Sequence, residues 1–107
     1  MWYSIRWEAT RWPDILHSYD ALLAIADSPV VRLNRAIALW HVHGAEQAYI
    51  ELFSLAEELD RYHLYHATRA ELLRALGRSD EARAADRRAL DLTENPAERA
   101  LLAARLA

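Results

Sequence analysis

Apolar side chains recur along this chain every three or four residues, the spacing that gives a helix one buried stripe. Ile15, Leu16, Tyr19, Leu22 and Leu23 share such a stripe, and Trp12-Pro13-Asp14 puts Pro and an acid in its first turn. This predicts a helix from Trp12 to about Ile25. Ser28-Pro29 is a second start, with Ser as N-cap and Pro next; Val30, Leu33, Ile37 and Trp40 carry the stripe to about His43, where Gly44 ends it. Ala48, Leu52, Leu55 and Leu59 predict a third helix over roughly Ala45 to Leu59. A fourth is expected from Tyr62 to Leu76, stopped by Gly77. Ser79 is expected to cap a fifth, whose inward face reads Ala82, Ala85, Ala89 and Leu92. Asn95-Pro96-Ala97-Glu98 is a capping-box-like start for a sixth, with Leu101, Leu102, Arg105 and Leu106 on its stripe. The loops are short, which forces antiparallel neighbours.

The pattern also repeats itself. Arg35-Ala36 returns as Arg69-Ala70, Leu39 as Leu73, Glu46-Gln47-Ala48 as Asp80-Glu81-Ala82, and Leu55 is answered by Ala89. The displacement of 34 residues is the length of one tetratricopeptide unit, a helical hairpin that buries its apolar face only by stacking on the next. The expected fold is therefore all-α: tetratricopeptide-like antiparallel helix pairs in a short right-handed superhelical stack, closed by a C-terminal capping helix. Counting back one period makes the helix from Trp12 the second of an earlier unit. Residues 1–11 then read as a truncated helix or stump, and residues 12–107 as the helical domain. Trp2, Tyr3, Ile5 and Trp7 are a heavy apolar load for such a stump, so Trp2, Tyr3 and Trp7 are candidates for self-association.

Composition narrows the function. With 107 residues, 53% of them hydrophobic, and only 2 Gly and 3 Pro, the chain fits one helical domain. It has 0 Cys, which excludes disulfides, thiolate metal sites and cysteine nucleophiles and is compatible with a cytoplasmic location. All 13 basic residues are Arg, interleaved with 16 acids for a net charge of -3, so no basic stripe marks a direct nucleic-acid ligand. The apolar runs are too short to cross a bilayer. There is no Gly-rich phosphate loop and no nucleophile elbow. Neither an enzyme nor a cofactor is expected.

Several stretches, taken together, resemble a known family. They are Trp12-Pro13-Asp14-Ile15 with Tyr19-Asp20-Ala21-Leu22-Leu23; Ser28-Pro29-Val30-Val31 with Leu33-Asn34-Arg35-Ala36-Ile37-Ala38; Tyr62-His63 with His66-Ala67 and Arg69-Ala70-Glu71-Leu72-Leu73; Leu76-Gly77-Arg78 with Glu81-Ala82; Ala89-Leu90; and Asn95-Pro96-Ala97-Glu98-Arg99. These resemble the C-terminal tetratricopeptide-like extension of bacterial extracytoplasmic-function RNA polymerase sigma factors. In that family promoter-reading and polymerase-binding regions precede this extension, and the resemblance extends to neither of them. The resemblance implies a module that regulates transcription initiation through protein contacts. Its partners would be sigma-factor regions, RNA polymerase or a regulator. The alternative is a free-standing helical-repeat assembly protein, a homodimer without a catalytic role.

The repeat register singles out candidate residues. The first helix of each unit should line a concave groove, presenting Asn34, Ile37 and His41 from one unit and Thr68, Glu71 and Arg74 from the next. This mixed polar surface suits a peptide or protein segment. Arg35 and Arg69 sit at equivalent helix junctions beside small alanines. They read either as structural arginines paired with nearby acids or as groups that pair with a partner's carboxylate. Asp20 is the expected mate of Arg35. His63 and His66 have an i, i+3 spacing that can hold a metal, but no acid completes a motif, and structural histidines are expected.

Overall fold

The computed structural model describes residues 11–107. Six α-helices succeed one another there: α1 Trp12–Ile25, α2 Pro29–His43, α3 Ala45–Phe53, α4 His63–Ala75, α5 Ser79–Leu92 and α6 Pro96–Leu106. No strand occurs among the described residues, so the fold is all-α. Each helix packs on its neighbours in sequence, α4 against α5 most extensively. The expected stump, with Trp2, Tyr3 and Trp7, lies outside the described residues.

Most helix ends fall where the cap residues put them. Ser28 Oγ accepts from the Val31 amide at 3.1 Å, and Pro29 follows in the first turn of α2. Gly44 takes φ 98°, in the left-handed region open to glycine, and lets the chain turn straight from α2 into α3. Gly77, at φ 78°, closes α4 with a Schellman motif: the Arg78 amide donates to Leu73 O and the Gly77 amide to Arg74 O. Asn95 Oδ1 accepts from the amides of Ala97 and Glu98 and caps α6.

Three expectations need correction. Helix α3 stops at Phe53 and does not run to Leu59. Ser54 Oγ donates to the Glu51 carbonyl at 2.6 Å, which is the acceptor that the Leu55 amide would use in a continuing helix. The Leu55 amide turns to Leu52 O instead, and residues 54–61 continue as tight turns. The apolar stripe survives the break, since Leu55 and Leu59 remain buried. Ser79 does not cap α5: it is the first helical residue, Arg78 stands in the cap position, and the Arg78 guanidinium holds Glu81 bidentately at 2.8 and 2.7 Å. At α6 the capping box is incomplete. The Glu98 carboxylate accepts from Thr93 Oγ1, and that hydroxyl accepts from the Asn95 amide.

The core follows the stripes. Leu33 and Ala36 of α2 meet Ala48 and Leu52 of α3, Leu55 and Leu59 of the turns, and Tyr65 and Leu72 of α4. Ala70 and Leu73 pack on Ala82 and Ala85 between α4 and α5. Leu16 joins Ala38 and Leu39 between α1 and α2, flanked by Trp12, Ile15, Tyr19 and Val42. The pairs 34 residues apart share their burial: Ala36 with Ala70, Leu39 with Leu73, Ala48 with Ala82 and Leu55 with Ala89 are all buried. Alanines at these junctions leave little side-chain bulk between helix backbones, and larger side chains there would overpack. Among the described residues, no helix is long and apolar enough to cross a membrane.

Candidate functional site

The two repeated arginines have different surroundings. Arg35, midway along α2, reaches back to α1 and forward to α3. Its Nε donates to Asp20 Oδ1 at 2.6 Å and its Nη1 to Glu51 Oε1 at 3.1 Å. The expected pairing with Asp20 is present, and Arg35 ties three helices together. Arg69 occupies the corresponding place on α4. Among the described residues no carboxylate lies within ion-pair distance of it and no acceptor takes its hydrogen bonds. It lines a depression of about 220 Å³ with Phe53, Ala56, Asp60, Tyr65 and His66.

A buried imidazole is part of that lining. His66 is 8% exposed, and its Nε2 donates to the Asp60 carbonyl at 2.6 Å, which leaves Nδ1 as the acceptor in the neutral ring. Burial pushes the His66 pKa down from its ordinary value, partly offset by the hydrogen bond to Asp60; nearby Arg88 lowers it further. Burial also raises the Tyr65 phenol. The Asp60 carboxylate is held by Arg88 of α5 at 3.2 Å.

Beyond α4 lies a second polar cluster that sequence reading missed. Asp86 of α5 is fully buried and accepts from Arg74 Nη2 at 2.6 Å through one oxygen and from Arg105 Nη2 of α6 through the other. Arg105 also donates to Glu71. One buried carboxylate thus fixes α4, α5 and α6 in mutual register. The signal was present in the sequence, because Asp86 falls 34 residues after Leu52, a fully buried core position, on the stripe of Ala82, Ala85 and Ala89. A charge on an apolar stripe requires a partner.

The candidate groove residues divide accordingly. Glu71 and Arg74 are brought together, 4.0 Å apart, and both are engaged by the Asp86–Arg105 cluster. Asn34 is exposed, while Ile37 and Thr68 are half-buried; none of the three side chains enters a hydrogen bond among the described residues. His41 stacks on Trp12 with ring centres 3.9 Å apart. His63 and His66 diverge. Glu98 Oε2 approaches His63 Nε2 to 2.6 Å, but off the direction needed for a hydrogen bond, so the contact is a close polar approach only. Among the described residues, no group of three or more His, Asp or Glu side chains gathers as a metal site.

No protein-family model matches the chain. No solved structure matches it either. The chain is similar to an uncharacterized protein of Rhizobium meliloti (strain 1021), with 43% identity over 95 residues. The match covers 89% of this chain but 22% of that protein, so the chain spans about a fifth of its relative's length.

Proposed function

We propose that this chain is a protein-interaction module, resembling the C-terminal tetratricopeptide-like extension of an extracytoplasmic-function sigma factor, that regulates transcription initiation in the cytoplasm by docking. One surface holds the promoter-reading regions, RNA polymerase or a regulator, and shifts the population competent for initiation. The observation that carries this reading is the run Ser28-Pro29-Val30-Val31 followed by Leu33-Asn34-Arg35-Ala36, the most specific part of the resemblance. The all-α hairpin architecture is compatible with it, and so is the similarity to a segment of a much longer protein. The module has no catalytic role in this reading. Sequencing the genomic DNA just upstream tests it. In-frame coding sequence for promoter-reading and polymerase-binding regions is expected, and an in-frame stop with no such regions would contradict the proposal.

A second reading, a free-standing dimeric assembly protein, draws on exposed apolar side chains. Ile25 is 86% exposed, Ile50 67% and Leu101 60%. Sedimentation discriminates. A tight dimer that dissociates after Trp2→Ala with Trp7→Ala favours assembly, whereas a monomer removes that reading.

A further inference from the structure

The second repeated arginine lacks what the first one has. Asp20 and Glu51, which hold Arg35, fall one period before Ser54 and Ala85, and neither of those can accept an ion pair. Arg69 thus keeps the position of Arg35 and loses both of its acids. A guanidinium cannot shed its charge, and its fork of donors fits a carboxylate in a bidentate pair. Asp60, an acid lining the same depression, is already engaged by Arg88, and its carbonyl takes the His66 ring. Beside Arg69, Asp60 and His66, the rest of the lining is apolar or aromatic. Ala56, Tyr65 and Phe53 supply this part, and Phe53 is 66% exposed.

We propose that the depression around Arg69 docks a single carboxylate of a partner polypeptide, with an adjacent apolar side chain of that polypeptide seated against Phe53 and Ala56. The occupant takes the place that Asp20 and Glu51 fill around Arg35. Glu57 and Glu58 line the adjoining depression beyond Phe53 and repel a run of acids. The site therefore selects one acidic residue with an apolar neighbour over a polyacidic segment. This holds whether or not the chain derives from a sigma factor.

Titration with N-acetyl-Asp-Phe-amide, read from the arginine Nε–H and backbone amide signals in 1H–15N NMR spectra, tests it. Saturable shifts are expected at Arg69 and across residues 53–69, with affinity roughly tenfold above that of N-acetyl-Asn-Phe-amide or sodium acetate. Arg69→Gln abolishes the shifts and Arg35→Gln leaves them, with the backbone spectrum of each variant reporting its fold. Should Arg69→Gln fail to fold, Arg69→Lys keeps the charge without the fork and must bind more weakly. Equal binding of the Asn probe, acetate binding as tightly as the dipeptide, or undiminished binding by whichever Arg69 variant folds overturns the proposal.

Discussion

Arg35 and Arg69 are the same residue in the same register, yet one is a structural tie and the other lines a depression with no carboxylate partner among the described residues. Their contributions to stability should differ in the same way. Arg35→Gln breaks two partly exposed ion pairs and is expected to cost about 1 kcal/mol, while Arg69→Gln is expected to stay within about 0.5 kcal/mol of the parent. Urea denaturation of both variants measures this, and equal losses would contradict it. Asp86 lies at the other extreme. Its carboxylate has 0% exposure and two arginine donors, so Asp86→Asn should cost about 2–4 kcal/mol. The lower half of that range is favoured because Arg74 and Arg105 keep 39% and 21% of their side-chain exposure. A loss below about 1 kcal/mol would place the cluster with ordinary surface pairs. His66 sets a pH dependence. Burial lowers its pKa in the folded chain, so the unfolded chain binds the proton more readily. Its contribution is complete above about pH 6.5 and is lost as the pH falls from there through the depressed folded value. Thermal melts over that window should show stability falling with acidity. The slope should flatten in His66→Gln, whose amide can still reach the Asp60 carbonyl, and an unchanged slope would remove His66 as the cause.

The helices begin and end on identifiable residues, and these were the most legible part of the chain. Pro13, Ser28, Gly44, Gly77 and Asn95 act through local geometry and need no knowledge of what packs where. Gly77→Ala forces a side chain into φ 78° and should cost about 1 kcal/mol. Asn95→Ala uncaps two amides and should cost a similar ~1 kcal/mol. Both are read from denaturation midpoints at constant m-value, and a neutral result at either site would contradict the cap assigned there. Where sequence reading failed, two local bonds competed and the pattern could not rank them. At Ser54 the side chain donates to the Glu51 carbonyl where α3 ends, although the apolar spacing runs on unbroken to Leu59. At Ser79 a good cap residue is passed over while Arg78 grips Glu81. Asp86 escaped notice for another reason. Its partners Arg74 and Arg105 come from two other helices, and only the packed molecule brings them together. The Arg35–Asp20 pair was legible because adjacent antiparallel helices had already placed the two side by side.

At the scale of the molecule, the comparison between Arg35 and Arg69, and between Leu52 and Asp86, has meaning only if the hairpin of α2 and α3 and the hairpin of α4 and α5 are equivalent units. The shared burial of residues 34 positions apart favours this equivalence. Leu33, Ala36, Ala48 and Leu52 of the first hairpin share one core with Tyr65 and Leu72 of the second, so each covers apolar surface of the other. Val30, Ile50, Leu64 and Ala84 are all exposed and form two corresponding pairs, so spin labels there leave the core intact. The distance distribution between labels at residues 30 and 50, compared with that between labels at residues 64 and 84, tests the equivalence directly. Superimposable distributions are the result expected here; two hairpins with clearly separate distances would contradict it.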